Sequence, residues 1–529
     1  MTIKEQIING SMSLGIEFGS TRIKAVLIGD DFLPVAQGDY EWENRFENGV
    51  WTYSVDDILT GLSASYESLS DDVYKKYGVY IEKLGSIGIS AMMHGYMAFD
   101  ENDNLLVPFR TWRNTMTGEA SKQLTELFDY PIPQRWSIAH LWQAILNEEE
   151  HISKIRHLTT LAGYIHYLLS GNRVLGVGEA SGMFPIDLST KKFDQKMLNL
   201  LQKNIVEKNV GISLEDILPD VLVAGENAGL LTEQGAKLLD KSGRLKAGAL
   251  MCPPEGDAGT GMTATNSIAP KTGNVSAGTS VFAMVVLEKA LTKAYSEIDL
   301  VTTPSGDLVS MVHCNNCTSD LNDWVSLITE AVALMGGNTN KGDIYSTLIS
   351  NSLNGDMDCG GLLSFNYLSG EHVTGFDEGR PLFVRKPDSN FNLANFIKLH
   401  LYSSFGALKT GLDILFEKEG VVVEKIVGHG GLFKTKGVAQ AVLSSACKAP
   451  VSVMQTAGEG GAWGIALLAS YALNFGNETL AEFLNNRVFS TAVIDTVMAT
   501  DAEISGFDSF MKTYKSGLAI EKSAVENLR

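Results

Sequence analysis

A chain of 529 residues with 42 basic and 62 acidic side chains carries a formal charge of −20, which argues against a general surface for nucleic acid or anionic membrane. Its 44% hydrophobic and 20% charged composition is that of a soluble globular protein, and its length suggests two or three domains rather than one core. Five cysteines give no disulfide framework, MTIKEQIINGS lacks the apolar core of a signal peptide, and no later run is apolar and long enough to span a bilayer, so the cytoplasm is the expected compartment.

In chain order, Leu14, Ile16 and Phe18 alternate with Gly15, Glu17 and Gly19, which predicts a strand with Glu17 on the face opposite the apolar one. Residues 13–28 read as a hairpin turning on Gly19-Ser20-Thr21, with Lys24 on the second strand. Such a turn presents hydroxyls and amides suited to phosphate oxygens, although many hairpins turn on Gly and Ser. Residues 33–53 are rich in aromatics: Tyr40, Trp42, Phe46, Trp51 and Tyr53. A buried strand is expected at 86–90, running into Met92-Met93-His94-Gly95, where a His after a strand is more often structural than functional. Phe109 to Asn114 follows, then mostly helix over 137–169, the stretch Glu179-Ala180-Ser181-Gly182-Met183, and residues 191–248 with no nameable chemistry.

A short strand is expected at 249–252, then a Pro-Pro break, then Glu255-Gly256-Asp257 opening a helix of small residues. Asp257 reads either as that helix's N-cap or as a group facing a ligand beside Gly256 and Gly259, which permit close approach. A second strand-turn-strand begins at Gly273 and turns on Gly278-Thr279-Ser280. Two such hairpins half a chain apart suggest two similar domains with a nucleotide between their turns. A strand at 308–313 leads to Cys314 and Cys317 beside His313; with no second pair nearby, zinc or redox chemistry is disfavoured. A helix over 320–334 and polar, turn-rich surface excursions at 336–340 and 354–359 come next. Leu393, Ile397, Leu401, Phe405, Leu408, Leu412 and Leu415 predict one long helix with a core-facing stripe. It leads to a strand at 425–427 and the turn Gly428-His429-Gly430-Gly431-Leu432-Phe433, where backbone can lie flat against a ligand and His429 is a loop residue rather than a catalyst. Gly458-Glu459-Gly460-Gly461-Ala462-Trp463-Gly464 opens a Gly/Ala-rich helix expected to pack beneath that turn.

Taken together, Gly15-Ile16-Glu17-Phe18-Gly19-Ser20-Thr21 with Lys24, then Gly256-Asp257, then Gly278-Thr279-Ser280 resemble the FGGY family of carbohydrate kinases, over about Leu14 to about Leu473. The resemblance implies an α/β fold of two duplicated ribonuclease-H-like domains, of the actin/hexokinase superfamily, facing a central cleft. The expected division is 11–267 for the sugar and the catalytic base and 268–529 for the nucleotide. It further implies ATP-dependent phosphorylation of a sugar hydroxyl with Mg2+, a reaction that benefits from a carboxylate to take the hydroxyl proton.

In the family's pattern Asp257 is that base and also contacts the sugar, and Asp257 with Glu17 serves the metal; Glu17 stands where relatives usually carry Asp. Gly19, Ser20, Thr21 and Lys24, with Gly278, Thr279 and Ser280, are implied for the phosphates, and Gly430, Gly431 and Leu432 for adenine and ribose. Met93, His94, Gly95 and Trp112 are implied for the sugar, Glu179 to Met183 resembles an acidic-Ala-Ser-Gly segment near it, and Asn114 replaces a usual Asp. The aromatics of 33–53 read equally as a wall that stacks on a sugar and as an ordinary hydrophobic patch. Met93-His94-Gly95 is similar to xylulokinases, while residues 33–53 and Gly430-Gly431-Leu432 are closer to ribulokinases. The resulting expectation is a ketopentose kinase, D-xylulose-like first. The alternatives are an L-ribulose, other ketose or polyol kinase, and a catalytically weak sugar- or nucleotide-binding regulator. The expected partner is a small-molecule sugar, with no nucleic acid and no membrane, and a homodimer is the assembly considered.

Overall fold

The computed structural model describes residues 1–337, 340–454, 460–474 and 476–528. Asn338 and Thr339 of one expected surface turn, and Gly458 and Glu459 of the glycine-rich helix opening, therefore lie outside the described residues. The chain forms two compact units: unit 1 comprises Met1–Ile268, Leu300–Val309 and Glu459–Thr491, and unit 2 comprises Ala269–Asp299, Ser310–Gly458 and Ala492–Arg529.

Unit 1 opens with the expected hairpin. β1 (Ser13–Phe18) pairs antiparallel with β2 (Arg22–Ile28), which sets Glu17 opposite Lys24, and β2 pairs antiparallel with β3 (Pro34–Glu41). Leu14, Ile16 and Phe18 are fully buried, as their alternation predicts. α1 (Val55–Tyr77) starts at Ser54, whose side chain accepts the Asp57 N–H, and stops at Gly78 in the left-handed conformation. Its buried Ile58, Leu62, Tyr66, Leu69 and Val73 form one stripe that packs on β3. β4 (Ser86–Ala91) is buried throughout and runs parallel to β1, the pattern of a central strand. The strand expected over 249–252 is shorter, β5 (Leu250–Met251), because Pro253 and Pro254 carry no N–H to continue the ladder. After them the chain rejoins β4 as β6 (Glu255–Gly256) and turns at once into α2 (Asp257–Ala264). The sheet order is β5-β4-β1-β2-β3, with β6 also on β4.

The second sheet repeats this plan. β7 (Thr272–Ala277) and β8 (Val281–Val286) form the second hairpin; β9 (Asp299–Thr302), β10 (Leu308–Cys314) and α3 (Ser319–Leu334) follow. The single long helix expected from Leu393 to Leu415 is a correction: it is α4 (Leu393–Ser403) and α5 (Gly406–Asp413), with a wider turn over Ile414–Lys418. The break falls where Ser404 Oγ donates to the His400 and Cys317 carbonyls, and where Gly406 meets the Tyr514 ring so closely that a Cβ would lie 2.7 Å from it. The apolar stripe survives the break, since Leu401, Phe405, Leu408, Leu412 and Leu415 are all fully buried. β11 (Lys425–His429) runs parallel to β7, and β12 (Val451–Met454) parallel to β11. The order β10-β8-β7-β11-β12 matches β3-β2-β1-β4-β5, the duplication read from the two hairpins.

α6 (Gly460–Leu473) belongs to unit 1 and packs on α2, β1 and β4. Every residue from Gly461 to Ala472 is buried, as befits a helix that is apolar or small on all sides. The chain ends with β13 (Ile494–Val497) and α7 (Asp501–Asn527), a helix opened by the reciprocal Thr500–Glu503 capping box.

Candidate active site

Asp257 is the first residue of α2, and Gly256 occupies the cap position, so the capping reading of Asp257 gives way. Its Oδ1 instead accepts the Met93 N–H at 3.1 Å. That amide stands just beyond β4, where His94 (φ 71°) and Gly95 (φ 100°) turn the chain sharply. Asp257 is open to solvent at its surface, yet surrounding protein removes enough water to push its pKa up, against the Met93 and Ala258 amides, which pull it down. The N-terminus of α2 also favours its charged form. A carboxylate that a ligand can reach, held by one oxygen and with its pKa raised above the ordinary value, is equipped to accept a proton.

Glu17 lies beside it. Its pKa is raised to about 7, first by burial and then by the charge of Asp257, while Lys24 across the hairpin and the Ala462 amide oppose the shift. Glu17 Oε2 accepts the Ala462 N–H at 3.1 Å, in the first turn of α6. A Cβ on Gly461 would sit 2.2 Å from Glu17 Oε1, so this glycine makes room for the side chain. Two buried acids absent from the sequence-derived base and metal assignments stand behind the pair. Glu255 accepts the Gly178 and Glu179 amides at 3.2 and 2.9 Å, and burial raises it to about 8. Glu179 is fully buried and held well above the usual carboxylate range by burial and by the charges of Asp257 and Glu255, against Thr160.

On the other side of Met93, His94 is 5% exposed, and its Nδ1 lies 3.0 Å from the Gly182 carbonyl. A carbonyl only accepts, so Nδ1 carries the proton and Nε2 is the acceptor. Burial first, and the charge of Arg135 second, lower its pKa to about 3, which keeps the ring neutral. Met93 and His94 both pack on Gly182, and Met93 also packs on Gly256, so Met93, His94, Asp257 and the 179–182 segment form one cluster. Trp112 takes no part in these contacts; its ring is exposed.

The aromatic stretch contains no sugar wall at Trp42 and Tyr53. Both are buried and stacked at 4.0 Å, with Trp42 Nε1–H donating to the Gly19 carbonyl (2.7 Å) and Tyr53 OH to the Ser20 carbonyl (2.6 Å). Asn114 clamps the neighbouring strand: its Oδ1 accepts the Trp51 N–H at 2.9 Å, and its Nδ2 donates to the Trp51 and Thr111 carbonyls at 2.8 and 3.0 Å. Only an amide supplies both roles, which accounts for Asn at this position. Asn114→Asp loses the donor and is expected to destabilise unit 1 by about 1–3 kcal/mol; an unchanged urea midpoint for unit 1 would dismiss the clamp.

In unit 2 the Gly278-Thr279-Ser280 turn joins β7 to β8, and Gly430 caps the adjacent strand β11. Gly430 (φ 101°) touches β7, since a Cβ would meet the Ala277 carbonyl at 2.4 Å, so no other residue fits. The sequence-assigned phosphate turn and adenine turn are thereby neighbours. Leu432 is buried and contributes packing. Cys314 and Cys317 are buried free thiols, and among the described residues no group of three or more His, Cys, Asp or Glu side chains is arranged to hold a metal ion.

The model of the N-terminal domain of the FGGY family of carbohydrate kinases matches residues 12–242, and that of the C-terminal domain matches residues 273–473. The chain is 22% identical to the xylulose kinase of Haemophilus influenzae over 359 residues, 65% of this chain and 67% of that protein. Two solved structures from Lactobacillus acidophilus are similar in fold: a ligand-bound xylulose kinase (16% identity, TM-score 0.78) and a gluconate kinase (16% identity, TM-score 0.76). Each alignment covers 98% of this chain and 99% of the other. Equal identity to proteins named for two different sugars carries the fold and not the sugar. Among the described residues no helix is long and apolar enough to cross a membrane. The fold is thus the two-domain, mixed α/β fold of the actin/hexokinase type, and the enzyme is a sugar kinase that uses ATP. The chain belongs to the FGGY family of carbohydrate kinases.

Proposed function

We propose that the protein phosphorylates a hydroxyl of a ketopentose resembling D-xylulose, with Asp257 as general base. One observation carries this reading: the reachable, pKa-raised carboxylate of Asp257 is held by the amide of Met93, whose neighbour His94 is a neutral ring with a free acceptor. One Asp257 oxygen is occupied by that amide, and the other takes the hydroxyl proton as the sugar oxygen bonds to the γ-phosphorus of ATP and the bond from that phosphorus to the departing ADP breaks. His94 Nε2 accepts a hydrogen bond from a second sugar hydroxyl, which orients the substrate. Gly19, Ser20, Thr21 and Lys24 in unit 1 are assigned to phosphate oxygens, as are Gly278, Thr279 and Ser280 in unit 2, with Gly430 and Gly431 at adenine and ribose. The sugar and the base are assigned to 11–267 and the nucleotide to 268–529. Five unpaired thiols favour a reducing compartment, the cytoplasm.

Magnesium fits Glu17 and Asp257. Two mutually repelling carboxylates suit a hard cation that keeps water and phosphate oxygens as its remaining ligands. Bound there, it would neutralise charge on the transferring phosphoryl group. Glu17→Gln retains an oxygen for the Ala462 amide and removes the charge, so it separates the two roles of Glu17. The expected result is a higher magnesium requirement with sugar affinity nearly unchanged. Identical midpoints in a magnesium titration would take Glu17 out of the metal site.

The bond from Glu17 to Ala462 favours a second reading, a catalytically weak sugar- or nucleotide-binding regulator, because it commits part of that carboxylate to the protein. An ADP-release assay over a panel of D-xylulose, L-ribulose, other ketoses, polyols and gluconate decides between them. Fast turnover with D-xylulose supports the first reading, preference for another sugar moves the substrate, and sugar binding without turnover supports the second.

A further inference from the structure

The two hydroxyl turns share a device built from unrelated residues. In unit 1 the Gly19 carbonyl accepts Trp42 Nε1–H at 2.7 Å and the Ser20 carbonyl accepts Tyr53 OH at 2.6 Å. In unit 2 the Gly278 carbonyl accepts both the Oγ1–H and the N–H of Thr318, at 2.7 and 3.1 Å, and the Thr279 carbonyl accepts the Cys317 N–H at 2.9 Å. Two consecutive carbonyls are thus gripped in each turn. The donors are themselves fixed. Trp42 and Tyr53 are 9% and 2% exposed and stacked. The Cys317 carbonyl accepts Asn366 Nδ2 and Ser404 Oγ, and Asn316 donates its N–H and Nδ2 to the buried Glu371.

A trans peptide points its C=O and its N–H to opposite sides, and no described peptide bond is cis. Gripping the Gly19 and Ser20 carbonyls therefore turns the Ser20 and Thr21 amides away from Trp42 and Tyr53. Gripping the Gly278 and Thr279 carbonyls does the same for the Thr279 and Ser280 amides. Successive amides aimed at one side form an anion-binding concavity. Among the described residues these four donate no recorded hydrogen bond, and Thr21 and Thr279 lie at exposed positions.

We propose that Trp42 and Tyr53 in unit 1, and Thr318 with the Cys317 amide in unit 2, are positioning residues that preset the Ser20, Thr21, Thr279 and Ser280 amides as donors to nucleotide phosphate oxygens. This rests on the assignment of both turns to phosphate. It also gives the aromatic stretch and the Cys-Asn-Asn-Cys-Thr segment a role that neither sugar stacking nor metal binding supplied.

The near-isosteric variants Tyr53→Phe and Thr318→Val each delete one gripping hydroxyl. Each is expected to raise the ATP KM and the ADP Kd about 3- to 10-fold, with kcat and the sugar KM within about twofold. Their effects should multiply in the double variant, because the turns are separate, and Thr318→Ser should restore wild-type affinity. A lowered melting temperature with unchanged ADP affinity would make the grips merely structural and overturn the inference. The turn assignment is tested apart, in wild-type protein labelled with nitrogen-15 at Ser and Thr. Addition of ADP should shift the Ser20, Thr21, Thr279 and Ser280 amide resonances. No shift means that the turns do not hold phosphate; a shift with unaltered affinity in both variants means that only the positioning idea fails.

Discussion

Asp257→Asn is expected to lower sugar-dependent turnover by about 10²- to 10⁴-fold, or about 3–5 kcal/mol of transition-state stabilisation. Asparagine fills the same space and can still accept the Met93 N–H through its carbonyl oxygen, so the turn beyond β4 is preserved. What it lacks is a site for the hydroxyl proton. ADP affinity measured without magnesium should persist, because the assigned nucleotide donors lie on the two turns and at Gly430, apart from the metal role given to Asp257. Stability should move the other way. A carboxyl whose folded pKa is raised contributes stability at low pH, and that contribution is lost as pH rises through the folded value. The neutral variant is therefore expected to be at least as stable as wild type at alkaline pH, with the difference closing under acid. Glu17 should report the change as well. The charge of Asp257 helps to hold it at about 7, so its pKa should fall in the variant, as a carbon-13 titration of Glu17 can follow. Wild-type turnover in Asp257→Asn would reduce Asp257 to the first residue of a helix.

Much of this was legible because it is written in local period and local chemistry. The β1 strand alternates, the two turns carry Gly and hydroxyls between apolar runs, and the α4–α5 stripe steps by three and four, so strands, hairpins and core faces follow from spacing. The break between α4 and α5 does not, since Tyr514, which crowds Gly406, lies more than a hundred residues further on. The same limit explains the aromatic stretch. Composition gives Trp42 and Tyr53 a flat apolar body suited to a sugar, but only the fold aims their polar ends at the Gly19 and Ser20 carbonyls. Glu17 seemed a displaced aspartate by sequence; α6 supplies the missing term, because Gly461 leaves space and Ala462 supplies an amide at the reach of the longer side chain. Asn114 is the converse case, an apparent departure that the Trp51 backbone requires. Glu179 was legible as the acid of a segment near the sugar and Glu255 was not, but neither raised pKa was, since both come from burial among elements distant in the chain.

His94→Asn separates sugar recognition from packing more cleanly than truncation to alanine. His94 sits at positive φ, a conformation that asparagine adopts readily. The asparagine Nδ2 can take over the hydrogen bond from His94 Nδ1 to the Gly182 carbonyl, so the cluster of Met93, Gly182 and Gly256 should hold. The ring nitrogen Nε2 is then gone, and with it the acceptor assigned to the sugar. If that assignment is right, ketose affinity falls by roughly 1–3 kcal/mol, the usual cost of leaving a buried polar partner unpaired, or about 5- to 150-fold in Kd. Slow ATP hydrolysis without sugar should be unchanged. His94→Ala should show the same affinity loss together with a lower melting temperature, because it also abandons the Gly182 carbonyl. In the wild type the ring is neutral down to about pH 3, so its share of sugar affinity should be flat across neutral pH. Its share of stability has the opposite profile. A folded pKa below the ordinary 6.5 makes that contribution complete above about 6.5 and progressively lost as pH falls toward 3. Calorimetric titration of His94→Asn with D-xylulose and with L-ribulose measures the first effect directly. Wild-type affinity in this folded variant would remove His94 from the sugar site and, with it, the reason for ranking D-xylulose above L-ribulose.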